Sequence, residues 1–255
     1  MSQILHFITG PTAIGKSSLA LRLAEKINGV IINADSMQVY SNLKILTARP
    51  SKTDHVKIKH ELYGYVEGYK RYNVAKWCND ILKIIIDNKK NKIPSIIVGG
   101  TGMYIDTLLN GLIDIPAISE TYKKRSGDLL KEIGLNNFKK IVTKFDKEAL
   151  NNISINDTTR FRRIWEVYQS TGITFSEWEK KQNKKFLKNS SYNIYLFTPP
   201  REQIYQNVNN RFNKMLKNGA IEEVKKLNNL KLDTSMPIMR AHGVPEISNF
   251  LKNEL

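Results

Sequence analysis

At 255 residues the chain is long enough to bury a sizeable core, as one domain or one domain carrying an insertion, so it needs no covalent staples. A single cysteine, Cys78, excludes an intrachain disulfide framework, and four scattered histidines form no His/Cys cluster with metal-ligand spacing. The net charge of +16, from 40 Lys+Arg against 24 Asp+Glu, suits a polyanionic partner, although the crowding of Lys with Asn and Ile fits compositional drift on solvated faces equally well.

The opening MSQILHFITGPT has no basic region ahead of a long apolar stretch, and no window approaches the roughly 18 apolar residues of a spanning helix. A cytoplasmic monomer with no membrane association is expected. Residues 4–9 form a short apolar run ending at Gly10 and predict a strand; residues 17–27, with Leu19, Leu23 and Ile27 at helical spacing, predict a helix. Residues 30–34 predict a second buried strand, ending at Asp35, and residues 96–98 a third, running into Gly99-Gly100-Thr101-Gly102. A helical pattern at 74–88 lies between them, and the alternation predicts an α/β fold of P-loop type, a mostly parallel sheet flanked by helices.

From 118 to 188 only helical patterns occur, such as 122–133 and 158–170, with Gly134 and Gly172 as stops. The expected organisation is a core of 1–112 and 190–255 interrupted by an all-helical insertion at 113–189. Residues 192–197 predict a returning strand closed by Pro199-Pro200, and 203–217 a helix with Arg211 and Lys214 on one side.

Gly10-Pro11-Thr12-Ala13-Ile14-Gly15-Lys16-Ser17 fits G-x-x-x-x-G-K-[ST] in a strand-loop-helix setting. Such a loop turns backbone N–H groups onto phosphate oxygens, the helix N-terminus adds positive potential, Lys16 neutralises charge, and Ser17 can hold Mg²⁺. A nucleoside triphosphatase of this type commonly places an acidic residue beyond a second apolar strand, whereas here that strand runs into Gly-Gly-Thr-Gly. The carboxylate, Asp35, ends the other strand, beside Ser36, Met37 and Gln38, whose polar groups suit a base edge. Strand ends at this edge of a parallel sheet converge on the ligand crevice, so Asp35 should lie near the phosphate loop. Asp35 is either a site carboxylate, a cap for the following segment or a helper to bound Mg²⁺.

GPTAIGKS, ADSMQVY and IIVGGTGMY, in this order, resemble the tRNA dimethylallyltransferases, also called tRNA isopentenyltransferases; INDTTRFRRIWEVY (155–168), NNRFNKMLKNG (209–219) and MRAHGVPEI (239–247) agree, so the likeness covers essentially the whole chain. The resemblance implies transfer of a dimethylallyl group from dimethylallyl diphosphate to N6 of the adenosine 3′-adjacent to the anticodon of tRNA, with Mg²⁺ as cofactor. It implies that Asp35 is the general base, that Lys16 and Arg211 stabilise the leaving diphosphate, and that Thr101 belongs to the catalytic set and contacts tRNA. It further implies RNA contacts from Asp35, Ser36, Met37 and Gln38 and, in the insertion, from Lys123 and from Thr159, Arg160, Phe161, Arg162 and Arg163. Taken alone, Arg211 reads as a solvated helix-face charge and the 160–163 arginines as a basic helix face. Lys123 stands where the family has an arginine, losing the bidentate fork, and Thr158-Thr159 replaces the family's usual Pro-Gln. Family members continue past the stretch matching HGVPE into a further basic helical segment, while this sequence stops at Leu255. A small-metabolite or nucleotide kinase with the insertion as its lid, and an RNA-binding remnant with little activity, are the competing expectations.

Overall fold

The computed structural model describes residues 4–151, 153–181, 184–187 and 190–252. The expected insertion boundary at 189 and the end at Leu255 lie outside them. The first apolar run forms β1 (Leu5–Thr9), whose Leu5 and Phe7 enter one core layer while Ile8 enters the opposite one. Helix α1 (Lys16–Ile27) follows the glycine loop, and β2 (Val30–Asn33) is buried at all four positions. Burial on both faces is what a parallel sheet with helices on each side demands. A short helix α2 (Lys52–Lys57) and a two-residue strand β3 (His60–Glu61) come next. Their lengths leave no periodic pattern to detect, so the sequence did not reveal them.

Helix α3 (Val74–Lys90) starts at an Asn73 cap whose side chain accepts the Lys76 amide, and it buries Trp77, Cys78, Ile81 and Ile85 beneath the sheet. Strand β4 (Ser95–Gly99) is buried throughout, and α4 (Gly102–Asn110) follows. After the insertion, β5 (Tyr192–Leu196) returns to the sheet edge, followed by α8 (Arg201–Lys217), α9 (Ala220–Asn228) and α10 (Val244–Leu251). The five strands are all parallel, in the order β3-β2-β4-β1-β5. β2, β4 and β1 are therefore adjacent, and their C-terminal ends open onto one edge. The predicted returning strand is present, but all five of its residues are solvent-exposed rather than buried.

The chain divides into two compact units, Met1–Leu109 with Phe186–Leu255, and Asn110–Lys185. The second contains α5 (Glu120–Phe145), α6 (Thr158–Thr171) and α7 (Phe175–Glu179) around a core of Phe138, Val142, Phe161, Ile164 and Trp165. α5 is broken at Gly134 (φ 73°, ψ 165°), and Gly172 closes α6 in the left-handed conformation, so both glycines interrupt helices where the sequence placed stops.

Candidate active site

Gly10 leaves β1 at φ +139°, and a Cβ there would stand 2.8 Å from the Phe197 carbonyl oxygen, so the chain can turn away only through a residue without a side chain. Gly15 (φ 89°) then forms the N-cap of α1 with no side-chain cap, which leaves the first amides of the helix without a side-chain acceptor. Pro11, Thr12 and Ser17 are exposed, while Ala13, Ile14 and Lys16 are half-buried. The Lys16 ammonium donates to the Gly10 carbonyl at 2.9 Å and also to that of Pro11. Burial depresses the Lys16 amine below the ordinary lysine range, Asp35 opposes that shift, and Arg211 reinforces it. Arg211 is likewise lowered by burial and raised by Asp35. The Arg211 Nε is buried with no hydrogen-bond partner among the described residues. Two partly desolvated cations that share one carboxylate in electrostatic range form a receptor suited to an anion.

Asp35 takes its place through its neighbours. Asn33, fully buried, accepts the Asp35 amide at 2.9 Å and donates to the Asp35 and Leu62 carbonyls, both at 3.0 Å. Asp35 Oδ1 accepts the amides of Met37 at 2.8 Å and Gln38 at 3.2 Å, so it does cap the following turn. Its Oδ2 makes no hydrogen bond among the described residues and is available as a proton acceptor. The cap occupies one oxygen of the carboxylate and leaves the other unbonded among the described residues.

Thr101 joins this arrangement because β4 crosses closely beneath the exit of β2. A Cβ on Gly99 would fall 2.1 Å from the Ala34 carbonyl oxygen, which makes glycine obligatory. The Thr101 hydroxyl accepts the Ser36 amide at 3.0 Å, and the Thr101 amide reaches the Ala34 carbonyl at 3.4 Å. A Cβ on Gly100 would lie 3.8 Å from the Lys16 ammonium, so this strand end and the phosphate loop adjoin. Gly10, Lys16, Asp35, Ser36 and Thr101 are thus brought together, with Arg211 in electrostatic range of Asp35 and Met37 and Gln38 following in the chain. Asn33 was missed by sequence reasoning, although an amide closing the apolar run VIIN carried the signal: a buried polar group must have partners.

The insertion is described by itself. Thr159 and Arg160 are exposed, and Arg160 pairs with Asp157 at 3.4 Å. Phe161 is 1% exposed and packs in the helical core, so its side chain is no surface contact. Arg162 donates to the Lys123 carbonyl at 2.7 Å and to Ser126 Oγ at 3.0 Å, and lies 3.6 Å from the buried Glu166. Burial lowers Arg163 from its ordinary value, with Glu166 opposing. Lys123 pairs with Glu120 at 2.7 Å. Of the three arginines, Arg160 is the one least committed to the fold.

Among the described residues no three His, Cys, Asp or Glu side chains are grouped to hold a metal ion. The exposed Ser17 hydroxyl beside Lys16 is a hard oxygen donor, compatible with a magnesium ion carried mainly by phosphate oxygens. No helix among the described residues is long and apolar enough to cross a membrane.

Comparison with known proteins gives a consistent answer. The sequence model of the IPP transferase family matches residues 38–255. A tRNA dimethylallyltransferase of Wolbachia pipientis wMel is 40% identical over 256 residues, covering 100% of this chain and 84% of that protein. The Pelagibacter ubique (strain HTCC1062) enzyme of the same name is 40% identical over 249 residues, covering 97% of this chain and 79% of its own. Among solved structures, a eukaryotic dimethylallyltransferase acting on tRNA superposes with a TM-score of 0.83 at 26% identity, over 99% of this chain and 64% of that one. A tRNA delta(2)-isopentenylpyrophosphate transferase from Staphylococcus epidermidis gives 0.67 at 30% identity, over 99% and 82%. A phosphate loop shared with kinases does not account for likeness that runs through the insertion and the C-terminal helices, and this chain belongs to the IPP transferase family.

Proposed function

We propose that this chain transfers the dimethylallyl group of dimethylallyl diphosphate to N6 of the adenosine 3′-adjacent to the anticodon of tRNA, yielding N6-isopentenyladenosine and diphosphate. The observation that carries the reading is a phosphate loop whose half-buried Lys16 adjoins the strand end at Gly100, with the neighbouring Thr101 hydroxyl bonded to the segment that bears Asp35; Lys16 and Arg211 both lie in the field of that carboxylate. The loop amides and Lys16 hold the diphosphate, with Arg211 as the second cation on the leaving group. The N6 amine attacks the allylic carbon, the carbon–oxygen bond to diphosphate breaks, and Asp35 Oδ2 takes the proton that the amine sheds. An exocyclic amine is a weak nucleophile at neutral pH, so the placed carboxylate is worth ~10²–10⁴ in rate. Charge building on the departing diphosphate is met by groups already fixed in a partly desolvated site. Mg²⁺, held by Ser17 and the diphosphate, would supply further neutralisation of that charge.

The Asp35, Ser36, Met37, Gln38 and Thr101 rim, together with Lys123, Thr159, Arg160, Arg162 and Arg163 of the insertion at 113–189, contributes the RNA contacts, with Phe161 sharing only through its backbone. The target base leaves its stack to reach Asp35. A tRNA substrate favours a cytoplasmic enzyme. Incubation with dimethylallyl diphosphate, Mg²⁺ and unmodified tRNA, followed by digestion and mass analysis, tests the reading. Isopentenyladenosine formation is expected. Consumption of ATP with a small acceptor and no tRNA requirement would replace the proposal with a kinase.

A further inference from the structure

The rim residue Gln38 is steered from a distant part of the chain. Its side-chain amide donates to the Thr47 carbonyl at 2.7 Å and to that of Ala48 at 3.4 Å. Two carbonyls can only accept, so they fix which end of the amide is nitrogen and leave Oε1 as a free-standing acceptor. An acceptor presented in this way suits a donor on a base edge, such as an exocyclic amine. The carbonyls that do the steering belong to a turn closed internally by the Ala48 amide on the Ile45 carbonyl at 2.9 Å, the Arg49 amide on the Lys44 carbonyl at 3.0 Å and the Thr47 hydroxyl on the Leu43 carbonyl at 2.8 Å, which leaves its leading amides to be met from outside. Its amides at Lys44, Ile45 and Leu46 all converge on the carboxylate of Glu223 in α9: Lys44 at 2.6 Å to Oε1, Ile45 at 2.8 Å to Oε1 and 3.1 Å to Oε2, and Leu46 at 2.9 Å to Oε2. Leu43 and Leu46 are buried against Ala220, Val224 and Val244, so apolar packing sets the depth of the turn while Glu223 sets its orientation. Arg49, next in the chain, donates to the Ser41 carbonyl at 2.9 Å and closes the loop. Gln38 is itself bound at both backbone ends, its amide to Asp35 Oδ1 and its carbonyl to the Gly64 amide at 2.8 Å.

We propose that Glu223, far from the crevice in sequence, is a positioning residue for base recognition: its carboxylate orients the 44–46 turn, whose following carbonyls aim the Gln38 amide at the incoming nucleotide. The inference rests on the tRNA reading above and assigns Glu223 no contact with either substrate. A carboxylate accepting several amides is replaced poorly by its amide, which offers one acceptor oxygen and turns an NH₂ toward the remaining N–H groups.

The test is a double-mutant cycle on the full chain with unmodified tRNA and dimethylallyl diphosphate. Glu223→Gln and Gln38→Ala are each expected to raise the KM for tRNA by about tenfold or more, with the KM for dimethylallyl diphosphate within about twofold of the original. The double variant should be no worse than Gln38→Ala alone within about twofold, because both changes disable one device. Multiplying effects, or equal rises in both KM values that track a fall in melting temperature, would overturn the proposal and leave Glu223 as ordinary scaffold. If the Glu223 variant does not fold, hydrogen exchange on the unaltered chain decides. Slower exchange at Lys44, Ile45 and Leu46 on adding tRNA, and not on adding inorganic diphosphate, supports the linkage; unchanged exchange overturns it. Product formation by the unaltered chain separates the two questions: its absence removes the function, whereas its presence with a normal tRNA KM in Glu223→Gln removes this inference alone.

Discussion

The Thr101 hydroxyl accepts the Ser36 amide at 3.0 Å, and this single bond ties the end of β4 to the segment that carries Asp35. Thr101→Val keeps the volume and removes the acceptor. An amide left unpaired in a half-buried place costs about 1–3 kcal/mol. The expected outcome is a fall in kcat/KM for tRNA of roughly ten- to a hundredfold, with diphosphate affinity kept within about twofold. Steady-state kinetics with each substrate varied in turn checks this, and equal losses for both substrates would show that the bond serves stability alone.

Asp35→Asn retains the hydrogen-bond acceptor that caps Met37 and Gln38 and removes the base. Turnover should drop by ~10²–10⁴, since proton abstraction is what is lost. Calorimetric titration should still register diphosphate binding. Near-original turnover by this variant would exclude Asp35 as the proton acceptor.

The Lys16 amine is depressed by burial, further lowered by Arg211 and partly restored by Asp35. A lysine with a lowered folded-state value binds fewer protons than the unfolded chain over the interval between the two values. Its contribution to stability is therefore unfavourable at low pH and is relieved as pH rises through that interval. Diphosphate binding runs the other way, because the anion requires the ammonium form. Affinity should weaken at a lower pH than an ordinary lysine would dictate, and binding in that window should take up protons. Titration calorimetry in buffers of different ionisation heat reads the uptake directly; proton release would contradict the sign.

Asn33 makes three hydrogen bonds at full burial. Asn33→Leu strands the Asp35 amide and two carbonyls, and each stranded group costs about 1–3 kcal/mol. A lower melting temperature is expected, with turnover reduced even where the variant remains folded. Thermal unfolding followed by circular dichroism, beside kinetics at low temperature, distinguishes the two effects.

In the insertion, Phe161→Ala should cost ~3–5 kcal/mol, as removal of a buried aromatic ring does. Arg160→Ala, at an exposed position, should leave folding within about 0.5 kcal/mol and weaken tRNA binding, reducing the salt slope by about 1. Binding isotherms across a salt series measure the slope, and an unchanged slope would remove Arg160 from the phosphate contacts.

Much of this site was legible in the residues because its parts are local. The phosphate loop needs two glycines, a lysine and a hydroxyl at fixed spacing, and the strands on either side announce themselves as apolar runs. Parallel strand ends then bring Asp35 toward Lys16 by topology alone. The parts that were not legible depend on contacts between remote segments. Arg211 falls on a helix with no fully buried residue, and nothing in its spacing separates it from solvated charges such as Lys214. Phe161 and Arg162 are neighbours in one run of expected RNA contacts, yet the first fills the helical core and the second bonds to Lys123 and Ser126 and lies beside Glu166. Glu223 stands 178 residues from Ile45, a separation that no periodicity records.

The close passage of Ala34 over Gly99 has a dynamic consequence. With backbone pressed on backbone and no side chain to compress or rotate, neither strand end can slide without carrying the other. Asp35 and Thr101 are thereby coupled as one stiff unit, whereas the long Lys16 side chain can exchange the carbonyls of Gly10 and Pro11 for phosphate oxygens. The carboxylate side acts as anvil and the lysine side as the yielding jaw.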